Sequence, residues 1–160
     1  MGTGKTEVGR ELSRLLGMPV VDTDREVEKS EGSTINEIFS LHGEEYFRKL
    51  ETAIIQRIAS GHGCIISTGG GAILREENVR ALKSAGIIFC LMANPATILH
   101  RIEGDEDRPL LRCEDRKTRI IELLEQRKPF YEKAGIMIDT EGKTPLQVAE
   151  EIIGKVSWKR

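Results

Sequence analysis

The fold is decided by the opening stretch Met1-Gly2-Thr3-Gly4-Lys5-Thr6 of this 160-residue chain. Gly4-Lys5-Thr6 matches the second half of the phosphate-binding loop pattern G-x-x-x-x-G-K-[ST], in which main-chain N–H groups and a lysine surround nucleotide phosphates. The first glycine of that pattern, and the strand that leads into it, would precede Met1, so we expect a natural chain that begins further upstream. An ordinary disordered start is the alternative. The regular helices and strands predicted behind it favour the phosphate site.

Composition and charge indicate one domain without a membrane or nucleic-acid surface. The chain is 39% hydrophobic and 31% charged, with a formal net charge of −2, which gives no hint of a broad basic surface. No apolar run approaches a membrane span, and no secretory leader is expected. Cys64, Cys90 and Cys113 are odd in number and lack metal-ligand spacing, so we expect a reducing compartment, with Cys64 and Cys90 in the core. A cytoplasmic monomer is the resulting prediction.

Helix and strand patterns alternate along the chain. The predicted helices are 6–16, 33–43, a longer one through 47–58, 75–84, one from 95, a long one to about 134, and one from 145. The predicted strands are 19–21, 64–66, 87–92 and 136–138. Apolar strands without clean alternation, separated by amphipathic helices, are typical of a parallel sheet covered on both faces. We predict one three-layer α/β/α domain over 1–160, with the charged stretch 103–115 as a candidate lid.

Capping signals mark two of these helix starts. Ser33 is predicted to cap the helix 33–43. Thr144, Pro145 and Gln147 form a capping-box arrangement at the last helix.

Two aspartates, Asp22 and Asp24, follow the first predicted strand, at the position where open α/β sheets bind ligands. A spacing of two would put both side chains on one side of an extended segment. Because neighbouring carboxylates repel each other unless a cation or a donor hydroxyl is present, one could serve a metal ion and the other a substrate hydroxyl. The alternative, that either aspartate simply caps the next segment, carries equal weight at this point.

Three glycines, Gly69, Gly70 and Gly71, directly follow the second predicted strand. Glycine forgoes side-chain packing and costs backbone entropy, which suggests that a ligand approaches the main chain closely. A flexible turn is the other explanation. The position at the carboxyl end of a strand favours the ligand.

Arg127 is predicted to face the core, because it shares a helical stripe with Ile120, Leu123 and Phe130. A buried guanidinium needs an anion, since an unpaired buried charge is costly. An internal salt bridge or a side chain that reaches out to solvent would be the alternatives to an anionic ligand.

Three further arginines are ambiguous on sequence grounds. Arg48 borders an apolar helix stripe, where a rim salt bridge is the ordinary explanation. Arg108 lies in the charged stretch and could close over phosphates, although most arginines in such loops are only solvated. Arg101 is equally open. The three histidines show no ligand spacing and are assigned no chemistry.

The ordered set of motifs resembles the shikimate kinases, a family of small P-loop kinases, over nearly the whole chain. The matching segments are Gly4-Lys5-Thr6, Asp22-x-Asp24, the run from Gly32 through Glu37 and Phe39 to Gly43-Glu44, Phe47-Arg48-x-x-Glu51, Ser67-Thr68 with the three glycines, Arg108-Pro109-Leu110-Leu111, and Arg127-x-Pro129-x-Tyr131. The resemblance implies a P-loop NTPase fold with five parallel strands, of which the first, central strand is absent from this sequence. It also implies transfer of the ATP γ-phosphoryl group to the 3-hydroxyl of shikimate, a step towards chorismate and the aromatic amino acids, with Mg²⁺ as the metal ion.

The resemblance also implies a role for each matching residue. Lys5 holds phosphates within the loop Gly2 to Thr6, Thr6 ligates Mg²⁺, and Asp22 lies in the outer metal shell. Asp24 takes the substrate hydroxyl and is the candidate general base. The clamp on the shikimate carboxylate is Arg48 with Arg127, both near the ring pocket lined by Gly69, Gly70 and Gly71. Arg108 moves in from the lid towards the phosphates, Arg101 lies against adenine, and Lys143 touches the adenine. The segment from about 23 to 60 is then the substrate-binding helical segment.

Two rival functions stay open on this evidence. A P-loop kinase for another acceptor, such as a sugar acid or a nucleoside monophosphate, would also need arginines for its anion. A truncated domain that binds nucleotide or shikimate without catalysis is the second. A GTPase is disfavoured, because the sequence has no Asn-Lys-x-Asp guanine motif.

Overall fold

A computed structural model of the chain describes residues 2–101 and 115–157. Helices and strands alternate along these two ranges. In chain order they are α1 (Lys5–Leu16), β1 (Val20–Asp22), α2 (Thr23–Glu31), α3 (Ile35–Ala59), β2 (Ile65–Ser67), a 3₁₀ turn (Ala72–Leu74), α4 (Glu76–Ala85), β3 (Phe89–Met92), α5 (Pro95–Arg101), α6 (Arg116–Ala134), β4 (Ile136–Asp139) and α7 (Pro145–Ser157). None of the described helices is long and apolar enough to cross a membrane.

The described strands form two parallel pairs, so the predicted strand direction is confirmed. β1 pairs with β2, and β3 pairs with β4. An apolar cavity of about 530 Å³ is lined by every residue of β2 and of β3, but by no residue of β1 or β4. The edges of β2 and β3 that lack a partner strand in the described ranges therefore face this cavity.

Strand side chains alternate between two helical layers. In β3, Phe89 and Leu91 pack against the cluster formed by α1 and α7, whereas Cys90 packs in a cluster with α6. In β4, Ile138 joins the first cluster and Met137 the second. Because successive strand residues point to opposite faces, the strands lie between two layers of helices. The three-layer α/β/α prediction is confirmed.

The strand boundaries differ from the prediction by one or two residues. β1 and β2 reach Asp22 and Ser67, which pair with each other. β3 begins only at Phe89, where its pairing with Ile136 of β4 starts, and Ile87 before it is 42% exposed. Partner strands rather than apolar composition therefore set these ends. The helix predicted over 75–84 is likewise shifted by one residue, to Glu76–Ala85.

Helix α2 was missed by the sequence analysis. Its nine residues, TDREVEKSE, contain one large apolar side chain, Val27, so no helical stripe is visible in the sequence. Asp22 caps its start, and Gly32 ends it with a left-handed φ of 67°. Local capping and one fully buried valine, rather than an apolar face, define this helix.

Helix α3 joins two segments that were predicted as separate helices. They meet at Gly43, whose φ of 81° and ψ of 173° interrupt the helical backbone and require glycine. The predicted cap Ser33 is wrong, because Thr34 caps this helix. The Thr34 N–H donates to Glu37 Oε2 at 2.8 Å, and the Glu37 N–H donates to Thr34 Oγ1 at 3.3 Å, which is a complete capping box. The predicted box of Thr144 and Gln147 at α7 is confirmed by the same pair of bonds.

Helix α6 buries Arg127 as predicted, with 7% of the residue exposed. Ile120 and Leu123 share its buried face, but the prediction for Phe130 is wrong, since Phe130 is 45% exposed. Tyr131 lies on the buried side of the helix instead and packs in the core cluster that contains Cys90 of β3. The next residue on a helical stripe lies three or four positions after Arg127. The residue four positions on, Tyr131, is the one that stays on the buried face of α6.

The cysteine predictions are met in part. Cys90 is buried in β3, whereas Cys64 is half-buried just before β2. Cys113 lies outside the described residues.

Candidate active site

One cavity of about 610 Å³ brings together the predicted site residues that the structure describes. It lies at the loop before α1, the carboxyl ends of β1 and β2, and the loop after β4. The predicted residues that line it are Gly2, Thr3, Gly4, Lys5, Thr6, Asp22, Asp24, Arg48, Gly69, Gly70, Gly71, Arg101, Arg127 and Lys143. Arg108 and most of the predicted lid, 103–114, lie outside the described residues. Asp115, the last residue of that stretch, caps α6 through its bond from the Thr118 N–H at 3.0 Å.

The loop before α1 has the geometry of an anion site. Gly2 and Gly4 have φ values of 60° and 82°, in the left-handed region that favours glycine. Gly4 occupies the N-cap position of α1 without a side-chain cap. The first N–H groups of the helix and its dipole are therefore available to an anion, and Lys5 and Thr6 stand on that first turn.

Asp22 combines the two roles that the sequence left open. It is the last residue of β1, it lines the cavity, and it caps α2, because its Oδ1 accepts the N–H groups of Asp24 at 3.0 Å and Arg25 at 3.3 Å. The expectation that Asp22 and Asp24 share one side of an extended segment is wrong. The strand ends at Asp22, and Asp24 belongs to the first turn of α2. Both carboxylates nevertheless face the same cavity.

Asp24 is a half-buried carboxylate in a mixed electrostatic environment. Burial is the main cause that raises its pKa, and the charge of Asp22 raises it further, while Lys5 and Arg48 lower it. Its Oδ1 is buried and has no hydrogen-bond partner among the described residues. A carboxylate with one unsatisfied oxygen at the wall of a cavity can accept a proton from a ligand hydroxyl.

Arg48 is held by two ion pairs, a buried one with Glu51 and one with the exposed Glu44, so the rim salt bridge considered above is present beside the buried pair. Its Nη1 donates to Glu51 Oε2 at 2.7 Å, and its Nη2 donates to Glu44 Oε1 at 3.0 Å. Glu51 is fully buried, and burial raises its pKa while the charge of Arg48 lowers it. The sequence analysis assigned no role to Glu51. The signal was its place three residues after Arg48, on the same face of one helix.

The glycine turn after β2 packs directly against these charged groups. A Cβ on Gly71 would lie 2.6 Å from the Cζ and Nη1 atoms of Arg48, and it would also clash with Nη2. A Cβ on Gly69 would lie 3.0 Å from both Asp24 Oδ1 and Glu51 Oε1. The absence of side chains in this turn therefore makes room for the carboxylates and the guanidinium beside the cavity.

Arg127 supplies the positive charge on the α6 side of the cavity. Within residues 2–101 and 115–157, no carboxylate forms an ion pair with it, although it is close enough to Glu51 to lower that carboxyl's pKa. Burial raises the pKa of the Tyr131 phenol, and the charge of Arg127 lowers it by a smaller effect. Arg127 is thus less neutralised by the protein than Arg48 is.

Arg101 and Lys143 stand beside the loop that follows β4. Arg101 Nη1 donates to Thr140 Oγ1 at 3.3 Å. Lys143 Nζ donates to the Asp139 carbonyl and to Glu151 Oε2, each at 2.8 Å. Lys143 therefore fastens this loop to α7 as well as lining the cavity.

The comparisons with known proteins decide the family. The family model described as shikimate kinase matches residues 1–157. This chain belongs to the shikimate kinase family. A shikimate kinase of Thermodesulfovibrio yellowstonii is 49% identical over 153 residues, which cover 96% of this chain and 88% of that protein. One of Caldanaerobacter subterraneus subsp. tengcongensis is 48% identical, with 96% and 90% covered.

Solved structures of shikimate kinases have the same fold. The Acinetobacter baumannii enzyme in complex with shikimate superposes with a TM-score of 0.96 at 35% identity, covering 100% of this chain and 90% of that one. The Aquifex aeolicus enzyme gives a TM-score of 0.83 at 39% identity, with 98% and 92% covered. The P-loop NTPase fold, the class of ATP-dependent kinase, and the cofactors ATP and Mg²⁺ predicted from the sequence are confirmed at the level of the family.

The donor set at this cavity fits Mg²⁺. Thr6 and Asp22 line one cavity, whereas the described parts of the chain contain no group of three or more His, Cys, Asp or Glu side chains that could enclose a metal ion. Mg²⁺ is usually held by one or two protein oxygens and completed by substrate phosphates and water. Two oxygen side chains at a phosphate loop match that requirement.

Proposed function

We propose that this cavity transfers the γ-phosphoryl group of ATP to the 3-hydroxyl of shikimate, giving shikimate 3-phosphate and ADP. One observation supports the proposal above the others: the phosphate loop, both aspartates, the glycine turn and both buried arginines line a single cavity. An acceptor with one carboxylate and several hydroxyls matches the arginines, aspartates and main-chain groups that line this cavity. Phosphoryl transfer depends mainly on positioning and on charge stabilisation, which these groups supply.

The two arginines divide the recognition of the acceptor carboxylate. Two glutamates already hold Arg48 in place, so it offers a fixed donor with much of its charge balanced. Arg127 has no ion-pair partner in the ranges that the structure describes, and it carries most of the attraction for an anion. A hydrogen bond to a charged group contributes about 1.5–3 kcal/mol, so each arginine is expected to matter for binding.

Asp24 receives the proton of the acceptor hydroxyl. Its unpartnered Oδ1 lies against the glycine turn, where the ring is expected to rest. Burial raises its pKa above that of an ordinary aspartate, which makes it a stronger base than an exposed carboxylate. Lys5 is close enough to act on the same carboxylate electrostatically, so the lysine and the base belong to one charged group of residues.

The loop Gly2 to Thr6 and the first turn of α1 bind the phosphates through main-chain N–H groups and Lys5. Thr6 and Asp22 would hold Mg²⁺, which neutralises phosphate charge when bound. Arg101 and Lys143 line the end of the cavity where adenine is expected. We further propose a monomeric cytoplasmic enzyme in which 103–115 closes as a lid with Arg108, and 23–60 carries the acceptor.

The test is an acceptor panel with ATP and Mg²⁺, read by ADP release and by mass spectrometry of the product. Shikimate should give shikimate 3-phosphate, whereas gluconate and nucleoside monophosphates should give none. Turnover of gluconate or a nucleotide without a response to shikimate would support the rival kinase. Calorimetric binding of shikimate without any phosphorylated product would support a binding-only domain. Either result would overturn the proposal.

A further inference from the structure

The hydroxyl of Thr140 joins three segments at the end of the cavity where adenine is expected. Thr140 directly follows β4, lines the cavity and is only 2% exposed. Its Oγ1 donates to the carbonyl of Met92, the last residue of β3, at 2.9 Å. The same Oγ1 accepts a hydrogen bond from Nη1 of Arg101, the last residue of α5, at 3.3 Å. A buried polar side chain therefore holds the Arg101 guanidinium beside the cavity.

These two bonds fix the direction of the hydroxyl. A threonine hydroxyl has one proton to donate and lone pairs with which to accept. Since arginine can only donate, the proton of Thr140 goes to the Met92 carbonyl and a lone pair is directed at Arg101. The Met92 carbonyl also accepts the main-chain N–H of Thr140 at 2.8 Å. Loss of the hydroxyl would therefore leave that carbonyl with a partner, whereas Arg101 would lose the contact that holds its Nη1.

We propose that Thr140 is a positioning residue for the nucleotide, because its hydroxyl sets the guanidinium of Arg101 against the adenine base. The inference rests on the proposed function, in which Arg101 lies at the adenine end of the cavity. Arg101 is exposed at the end of a seven-residue helix, so its long side chain would otherwise take many orientations. A guanidinium held at one Nη can still stack its flat face on a purine ring. Because a guanidinium that is already oriented loses less entropy on binding, the hydroxyl should strengthen ATP binding.

The test compares two threonines whose hydroxyls connect α5 to the loop after β4. Thr97 of α5 donates its hydroxyl to Glu141 Oε1 at 2.6 Å, but it does not line the cavity. Thr140→Val and Thr97→Val each replace a hydroxyl by a methyl group and keep the branched shape. By calorimetry with Mg²⁺, we expect the ATP dissociation constant of Thr140→Val to rise about tenfold, as loss of one hydrogen bond to a charged group implies, with shikimate affinity unchanged within about twofold. Thr97→Val should change neither constant.

A purely structural role would follow the packing of Thr140 rather than its hydroxyl. Thr140→Ser keeps the hydroxyl and loses the methyl group, so its ATP affinity should match that of the unmodified protein. If Thr140→Val does not fold, Thr140→Ser and Thr140→Ala, which differ by the hydroxyl alone, still give the comparison. Equal ATP affinity in Thr140→Ser and in the variant without the hydroxyl would overturn the inference, as would equal losses in Thr97→Val and Thr140→Val.

Two further measurements test whether Thr140 acts through Arg101 on the base. In an Arg101→Met background, Thr140→Val should cost no further ATP affinity, because the guanidinium is gone. Inorganic tripolyphosphate with Mg²⁺ offers the phosphates without the base, so Thr140→Val should bind it as tightly as the unmodified protein does. A loss of ATP affinity that persists without Arg101, or equal losses for ATP and tripolyphosphate, would contradict the proposal.

The proposed function fails separately from this inference. If the unmodified protein neither binds ATP nor phosphorylates shikimate, the proposed function itself is wrong. If it does both and Thr140→Val binds ATP normally, only the role of Thr140 is wrong, and the two failures are therefore distinguishable.

Discussion

Replacing Gly71 by alanine tests the packing of the glycine turn against Arg48. The φ of Gly71 is −92°, which alanine adopts readily, so backbone strain is not the issue. The added Cβ would lie 2.6 Å from the Cζ and Nη1 atoms of Arg48, well inside normal contact. The guanidinium must therefore move, and it is fastened to Glu51 at 2.7 Å and to Glu44 at 3.0 Å.

The expected loss of shikimate affinity follows from the hydrogen bonds that the Arg48 guanidinium loses when it moves. Displacing the guanidinium sacrifices at least one hydrogen bond between charged groups, which is worth about 1.5–3 kcal/mol. We expect shikimate affinity in Gly71→Ala to fall between about tenfold and about 150-fold, since each 1.4 kcal/mol is a factor of ten. ATP affinity should stay nearly constant, because Gly71 lies on the acceptor side of the cavity. Isothermal titration calorimetry with each ligand separately measures both.

Two controls separate this cause from a general effect of the substitution. Gly154→Ala lies in α7, where an added Cβ meets no heavy atom within 4 Å, and it should leave both affinities unchanged. In an Arg48→Ala background, Gly71→Ala should cost nothing further for shikimate, because the clashing group is gone. Equal losses with and without Arg48, or wild-type affinity in Gly71→Ala, would refute the steric argument.

Four more measurements test other parts of the structure. Asp24→Asn should reduce kcat by at least about a hundredfold, as loss of a general base does, while calorimetry should show ATP binding nearly intact; a normal kcat would remove Asp24 from its role. Arg127→Ala should raise the KM for shikimate by at least about tenfold and leave that for ATP nearly unchanged, and steady-state kinetics with equal changes in both would contradict the assignment. Thr34→Ala removes the capping box of α3 and should lower the free energy of unfolding in urea by about 1 kcal/mol at constant m-value. An unchanged unfolding midpoint would show that the cap does not stabilise the protein. Burial raises the pKa of the Cys90 thiol, so little thiolate exists below that pKa, and peptide mapping at neutral pH should show alkylation of Cys64 before that of Cys90; earlier labelling of Cys90 would contradict its burial.

The overall fold was predictable because its signals are local. Apolar strands such as Phe89–Met92 and amphipathic helices such as α1 repeat with their own periods, and the phosphate loop fixes which sheet end carries the site. Helix α2 was not predictable in this way. Its single buried apolar residue, Val27, leaves the cap at Asp22 as its main sequence signal.

The candidate residues that share the cavity were named from the sequence, but their contacts with one another were not predicted. The burial of Arg127 was predicted from its helix stripe, whereas the site role of Arg48 was implied only by the family resemblance. The buried partner of Arg48, Glu51, was not predicted, because only packing shows that its carboxylate is fully enclosed. The choice between Phe130 and Tyr131 for the buried face likewise depends on how α6 packs, since only Tyr131 reaches the cluster with Cys90. Contacts between distant segments, such as that of Tyr131 with Gly70, leave no periodic signal in the sequence.

The two strand pairs carry different parts of the site. β1 and β2 lead to Asp22 and the glycine turn, whereas β3 and β4 lead to Arg101 and Lys143. Between β2 and β3, the described chain is held by side-chain clusters, among them that of α1 and α7, and by the bond from Tyr131 to Gly70, rather than by strand-to-strand ladders. A sliding displacement between these two strands therefore strains side-chain packing while every existing ladder stays intact. The acceptor half and the nucleotide half of the described site are therefore joined through side chains and not through a shared strand ladder.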